Sequence, residues 1–215
     1  MTLAETFVLF DGEGCLLKGA LIPRLSKGLA LRASSSERKL KVAFDALDPG
    51  KLEQGKISAK DLLKAFGKAL NKKLTATQLS AWLGEAVVYS PAGLTLLTKW
   101  AFQDRAAVVG GSMPGIPERV RTDLLTLVPP ERHLYAHEAG ASLSDPAFYQ
   151  AASEAFQKDL AQLVLYSPCE KRRAAAVEAG CQAVITLTQD PAPVEQELPS
   201  TDESPAKEST SDTVN

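Results

Sequence analysis

The chain has 215 residues, 45% of them hydrophobic and 23% charged, with a formal net charge of −2. That length allows one large domain or two small ones, the composition suits an ordinary packed core, and the near-neutral charge excludes a strong overall pull toward nucleic acid or anionic membrane. The charge is unevenly placed: from Asp190 onward there are seven acids against one base, so an acidic tail follows a mildly basic body.

The first residues lack the basic start and long apolar run of a secretory leader. No stretch approaches the ~20 consecutive apolar residues that span a bilayer, so no integral membrane contact is expected. Cys15, Cys169 and Cys181 are few, odd in number and not in a CxxC arrangement. That pattern points to a reducing compartment, hence to a cytoplasmic or cytoskeleton-associated protein.

Helix signals dominate the chain, and the expected fold class is all-α. Residues 1–36 read as an N-terminal helical segment. Within it and just beyond, Lys18, Arg24, Lys27, Arg32, Arg38, Lys39 and Lys41 alternate with Leu21, Ile22, Leu25, Leu29 and Leu31. Such a basic amphipathic stretch either binds acidic partners or turns its apolar stripe to a core, the second reading being preferred. Ser34-Ser35-Ser36-Glu37 is a capping box opening a helix to Leu47. Ser58 and Asp61 cap the next, whose Leu62, Leu63, Phe66, Ala69 and Leu70 share one face at 3.6 periodicity. Thr75 and Gln78 cap a third, with Leu74 and Leu79 as a hydrophobic staple. A fourth runs from Thr95 to Ala107. The glycines and prolines of 110–117 predict a linker. Helices then follow from Pro117, from Asp145 to Leu165, and from Cys169 to Leu187. Residues 190–215 carry almost nothing to bury and are expected to be a disordered acidic tail.

The segment from Leu40 to Phe102 resembles a pair of EF-hands of the calmodulin and myosin light-chain superfamily. In the first hand Phe44, Asp48, Gly55, Ile57, Ser58 and Asp61 fill the places of the aromatic, the first loop acid, the mid-loop glycine, the mid-loop apolar residue, the cap and the closing acid. In the second, Thr75 to Ala86 is similar to an entering helix and Leu94 stands at the mid-loop apolar place. The resemblance implies that Ile57 and Leu94, 37 residues apart, bridge the two loops as a short β-pair, and that residues 37–109 form one paired helix–loop–helix lobe. Phe7, Phe10, Asp11, Gly14 and Leu16 fit a shortened hand within 1–36, with Ala20 where a closing acid belongs. Residues 118–189 form a C-terminal helical region, a diverged second lobe in this reading.

The calcium chemistry is missing from these loops. Asp48 to Asp61 spans fourteen residues, two more than a working loop, and the stretch from Val87 to Thr98 offers no carboxylate. No metal is therefore expected; the residues that would hold one are Asp48, Glu53 and Asp61. No cofactor is implied either. The implied function is a calcium-independent adaptor or light-chain-like subunit, not an enzyme, that clasps an amphipathic helix of a larger protein and binds no nucleic acid. Its groove would be lined by Phe44, Leu47, Leu63, Phe66, Leu79, Trp82, Leu83 and Trp100, with Trp82 on the core face and Trp100 at the open border. The alternatives are a calcium sensor retaining one atypical site and an uncharacterised enzyme using His133 or His137.

His133 and His137 would share a helix face and could take zinc with a third ligand, but surface histidines are the preferred reading. Gly12-Glu13-Gly14 and Gly110-Gly111 read as turns. Cys15 reads as a half-buried structural thiol. Lys171-Arg172-Arg173 reads as a solvated basic face at a helix start.

Overall fold

The computed structural model of the protein describes residues 6–18, 21–33 and 35–185. Its centre is a five-stranded sheet, and every neighbouring pair of strands is parallel. The strands are β1 (Phe7–Asp11), β2 (Ala106–Gly110), β3 (His133–Tyr135), β4 (Leu163–Tyr166) and β5 (Gln182–Val184), in the order β3-β2-β1-β4-β5. The all-α expectation is thereby corrected to α/β. A parallel strand covered on both faces needs no polar face, so it reads as a short apolar run without alternation. Such runs are easily absorbed into neighbouring helix patterns. The run Phe7–Phe10 had been assigned to a shortened EF-hand, Ala106-Ala107 to the end of a helix, and Leu163–Leu165 to the end of another.

Side-chain alternation separates two cores. Val8, Phe10, Ala106 and Val108 face one layer, and Phe7, Leu9, Ala107 and Val109 face the other. The first layer includes α7 (Ile116–Leu124) and a helical insertion between β1 and β2. The insertion consists of α1 (Leu21–Ala33), α2 (Glu37–Asp45), α3 (Pro49–Glu53), α4 (Ala59–Leu70), α5 (Ala76–Ala86) and α6 (Pro91–Ala101). The second layer holds α8 (Ala136–Ala139), α9 (Pro146–Phe156) and α10 (Glu170–Ala179), with Phe148, Tyr149, Ala152, Ala175 and Ala176 buried against the sheet.

Within the insertion, local signals are obeyed. The Ser58–Asp61 and Thr75–Gln78 capping boxes both form. Pro23 does not interrupt α1, because it lies in the first turn, where its missing N–H would have had no helical acceptor. Ser36 stands at the cap of α2 without a side-chain hydrogen bond; Ser34, which opens the expected capping box, lies outside the described residues. Leu21 and Leu25 are buried, as a core-facing stripe requires.

The paired EF-hand lobe is absent from this region. Leu94 sits inside α6 rather than in a loop, so the Ile57–Leu94 β-pair does not exist. Asp48 caps α3, accepting from Gly50 N and Lys51 N, while Asp61 closes a capping box and Glu53 turns away to the sheet. The three acids considered for calcium are therefore spent separately. Of the groove candidates, Phe44, Phe66, Leu79, Leu83 and Trp100 are buried in the first core, and Leu47, Leu63 and Trp82 are partly buried against it. The Phe44 and Phe66 ring centroids are 4.5 Å apart. Residues 110–117, expected as a linker, run from the end of β2 into α7. The last helix expected, to Leu187, ends at Ala179 and is followed by β5; the acidic tail lies outside the described residues. Among the described residues no helix is long and apolar enough to cross a membrane.

His133 and His137 do not form a pair. His133 is buried in β3, its ring nitrogens 3.3 Å from Tyr135 Oη and from the Val128 carbonyl. His137 lies in α8. Burial, reinforced by the Arg121 charge and only partly offset by the Val128 carbonyl and Glu138, pushes the His133 imidazole below its ordinary range. The unfolded chain, titrating normally, takes up its proton first as pH falls, so acidification favours unfolding. The melting temperature should fall as pH drops through the ordinary imidazole range, and His133→Gln should flatten that slope. Equal slopes in the two proteins would rule out His133 as the source.

Candidate active site

In an open parallel sheet, ligands bind beyond the carboxyl ends of the strands, where successive connections leave in opposite directions. Here that point lies between β1 and β4, since β1 leads to β2 on one side and β4 returns on the other. Asp11 ends β1, and Ser167 follows β4. Their side chains meet, with Ser167 Oγ donating to Asp11 Oδ2 at 2.5 Å.

Asp11 is fully buried, and its acceptor positions are filled. Oδ1 accepts from Glu13 N at 3.1 Å and from Arg172 Nη1 at 2.7 Å. Oδ2 accepts from Ser167 and from the same Arg172 nitrogen at 2.9 Å. Two oxygens offer about four lone-pair sites, so none remains for another ligand. Arg172, in the first turn of α10, also donates through Nη2 to Glu13 Oε2 at 2.9 Å and to Glu53 Oε1 at 3.2 Å. Three carboxylates thus converge on one guanidinium. Burial raises the Asp11 carboxyl, with Arg172 and the Ser167 hydroxyl pulling the other way. Burial alone would lower Arg172, but the charges of Asp11, Glu13 and Glu53 outweigh it and keep the guanidinium protonated.

The surrounding fold holds these groups in place. Tyr149 Oη shares its one proton between the Leu143 carbonyl at 2.8 Å and the Arg172 carbonyl at 3.0 Å, tying the start of α10 to the segment before α9. Glu53 Oε2 accepts from Ser142 Oγ at 2.8 Å, and its carbonyl accepts from Ser112 N at 2.7 Å, which seats α3 on the end of β2. The loop carrying Glu13 is clasped from both sides. Gly14 has φ +83°, and a Cβ there would meet the Pro168 ring at 2.5 Å; a Cβ on Gly93 would lie 2.0 Å from the Cys15 carbonyl oxygen. Both positions require glycine for close approach.

Beside this cluster lies a cavity of about 200 Å³ between the sheet end and the insertion. Glu13, Glu53, Ser112 and Arg172 supply its polar edge, while Leu17, Leu21, Leu52, Val108, Met113 and Ile116 make most of its wall. Asp11 does not line it. Glu13 lines it, with Oε2 bonded to Arg172 and Oε1 without a protein partner among the described residues. Ser112 Oγ lies 2.7 Å from His137 Nδ1 and accepts from His137 N at 2.8 Å. His137 thus meets the site through Ser112 and through the ring of Tyr135, a residue of the cavity wall on which its imidazole stacks with centroids 6.5 Å apart.

Of the residues singled out from sequence, Glu53 and Glu13 reach this site, but not in the roles expected of them. Cys15 is buried, its thiol donating to the Tyr166 carbonyl at 3.0 Å, and burial raises its pKa. Arg172 departs furthest from its reading as a solvated base, while Lys171 beside it is exposed and Arg173 donates to the Ser167 carbonyl at 2.9 Å. Asp11 had been assigned to a calcium-type loop. The readable signal was the apolar run Phe7–Phe10 ending on an acid followed by Gly-Glu-Gly, the pattern of a buried strand delivering a carboxylate to a turn.

No protein-family model matches the sequence, and no curated protein is significantly similar to it. Solved structures, by contrast, are similar in fold. A HAD family enzyme from Bacteroides thetaiotaomicron, in complex with magnesium and inorganic phosphate, is 16% identical, with 83% of this chain and 92% of that chain covered and a TM-score of 0.66. L-2-haloacid dehalogenase from Xanthobacter autotrophicus is 14% identical over 83% of this chain and 76% of that chain, with a TM-score of 0.59. A HAD hydrolase from Entamoeba histolytica is 15% identical over 83% and 82%, with a TM-score of 0.53. These similarities correct the EF-hand resemblance. The expectations built on it, a non-enzymatic adaptor, a light chain and a calcium sensor, lose the fold on which they rested. Among the described residues no group of acidic, histidine or cysteine side chains is placed to hold a metal ion: Asp11 has its acceptor positions filled, and a guanidinium already lies among the acids. At these identities the likeness concerns architecture alone: the chain has the α/β fold of HAD-family hydrolases.

Proposed function

We propose that the protein is a hydrolase acting on a small, mainly apolar substrate without net negative charge, with Glu13 activating the attacking water. The observation that carries this reading is the position of Glu13. Two of the three carboxylates gathered by Arg172 line the cavity, Glu13 and Glu53; both oxygens of Glu53 are bonded, to Arg172 and to Ser142, whereas Glu13 keeps Oε1 without a protein partner among the described residues. Arg172 fixes Oε2 and leaves Oε1 unpartnered among the described residues, on a side chain that lines the cavity together with the apolar wall. In the reaction, a water hydrogen-bonded to Oε1 passes its proton there as its oxygen bonds to an electrophilic carbon. The bond from that carbon to the leaving group then breaks, and the proton goes to the leaving group. Arg172 and Asp11 are positioning residues, since neither has a group to spare for the substrate. Three acids against one guanidinium disfavour a phosphate ester, whose charges they would repel. The free cysteines suit a reducing compartment such as the cytoplasm.

The test is hydrolysis of uncharged p-nitrophenyl acetate and butyrate against p-nitrophenyl phosphate. The carboxylic esters should be turned over, and Glu13→Gln should lose about 10²–10⁴-fold in kcat with its melting temperature little changed. Preference for the phosphate ester, or undiminished turnover by Glu13→Gln, would refute the reading.

A further inference from the structure

We infer that Arg172 is the resident cation of this site and that it makes a divalent metal unnecessary there. The inference does not depend on the reaction proposed above. Three carboxylates from three separate segments, the end of β1, the loop after it and α3, are brought within hydrogen-bonding reach of one another's partner. Groups of like charge do not gather around a buried carboxylate without an opposite charge among them. A hard divalent cation could supply it through oxygen ligands at ~2.0–2.1 Å. In this protein the guanidinium does so through nitrogens at 2.7 to 3.2 Å. Both terminal nitrogens face acids: Nη1 bonds both Asp11 oxygens, and Nη2 is divided between Glu13 and Glu53. Arg172 is 8% exposed, and its own backbone is held by Tyr149, so the charge is fixed in position as well as in kind. The remaining acceptor positions of Asp11 are closed by Ser167 and by Glu13 N. A metal would have to expel the guanidinium to enter.

The arrangement makes a conditional forecast. Removing the guanidinium leaves an acid-lined space that the folded chain can balance only by protonation or by an ion from solution. The full chain and its Arg172→Ala and Arg172→Lys variants are melted, and titrated calorimetrically, with millimolar Mg²⁺ or Mn²⁺ and with a chelator. The wild-type protein should show the same melting temperature in all conditions and no heat of binding. Arg172→Ala should melt lower in chelator and recover several degrees with Mn²⁺ or Mg²⁺, with a measurable binding heat. Arg172→Lys, which retains one cation, should stay indifferent to metal. Metal stabilisation of the wild-type protein, or of Arg172→Lys, would overturn the inference, as would an Arg172→Ala variant that folds and ignores metal. If Arg172→Ala does not fold, the wild-type and lysine titrations decide the matter alone. Hydrolysis plays no part in this readout, so failure of the esterase test bears on the proposed reaction and not on the resident cation.

Discussion

Replacing Asp11 with alanine should destabilise the protein by about 3–5 kcal/mol, the range for breaking a buried, hydrogen-bonded charge pair from one side. The loss falls on several groups together. Arg172 loses its bonds to both Asp11 oxygens, Ser167 Oγ loses its acceptor, and Glu13 N loses the contact that shapes the turn after β1. Glu13 and Glu53 remain to compensate the guanidinium, but both lie at the cavity edge, and neither is enclosed as Asp11 is. Against a typical total of ~5–15 kcal/mol for a folded domain, such a loss is large. Ser167→Ala should cost less, about 1.5–3 kcal/mol, the range for losing a hydrogen bond to a charged group, since the second bond it removes, from Cys169 N, is to a neutral amide. Urea denaturation of the wild-type protein and the two variants checks this. An Asp11→Ala loss below about 1 kcal/mol, the scale of an exposed pair, would mean that the pair is far more hydrated than its burial implies.

Trp100→Ala should cost about 3–5 kcal/mol, as expected for truncating a buried aromatic side chain, and Trp82→Ala distinctly less. The sequence reading placed Trp82 on the core face and Trp100 at the border of a groove. The structure reverses the emphasis: Trp100 is 3% exposed in the first core, beneath the Arg105 guanidinium at 4.9 Å, whereas Trp82 is only partly buried. The indole nitrogen of Trp100 has no hydrogen-bond partner among the described residues. Trp100→Phe should therefore be much milder than Trp100→Ala, since it removes a polar atom that was not satisfied and retains most of the ring. Thermal melts of the three variants would show it. A Trp82→Ala loss exceeding that of Trp100→Ala would count against the packing described here.

The site was hard to read for a definite physical reason. Asp11 and Arg172 are 161 residues apart, and each looks ordinary in its local window. Asp11 follows four apolar residues and precedes a glycine, which suits a strand end and a loop end equally. Arg172 stands between two bases in a helix whose first turn otherwise faces solvent, so local patterning marks it as surface. What makes the pair unusual is that the same point of the fold buries both. The same limitation explains the mistaken EF-hand lobe. Asp48, Ser58 and Asp61 do cap helices, and Leu62 and Phe66 do face a core, but helix caps and apolar faces are common to many folds and do not identify one.

The sequence by itself determined the helices of the insertion. The boxes at Ser58–Asp61 and Thr75–Gln78 and the apolar face of Leu62, Phe66 and Leu70 are set by interactions three or four residues apart, which need no tertiary partner to be recognised. Only the tertiary structure decided that Phe7–Asp11, Ala106–Gly110 and Leu163–Tyr166 are strands, because a parallel strand has no hydrogen bonds of its own until distant segments lie beside it, as Val8 does beside Ala106 and Val164. The same pairing decided the site. Burial of Asp11 between β2 and β4 withdrew solvent from its charge, and Arg172, the nearest buried cation, then gathered Glu13 and Glu53 with it.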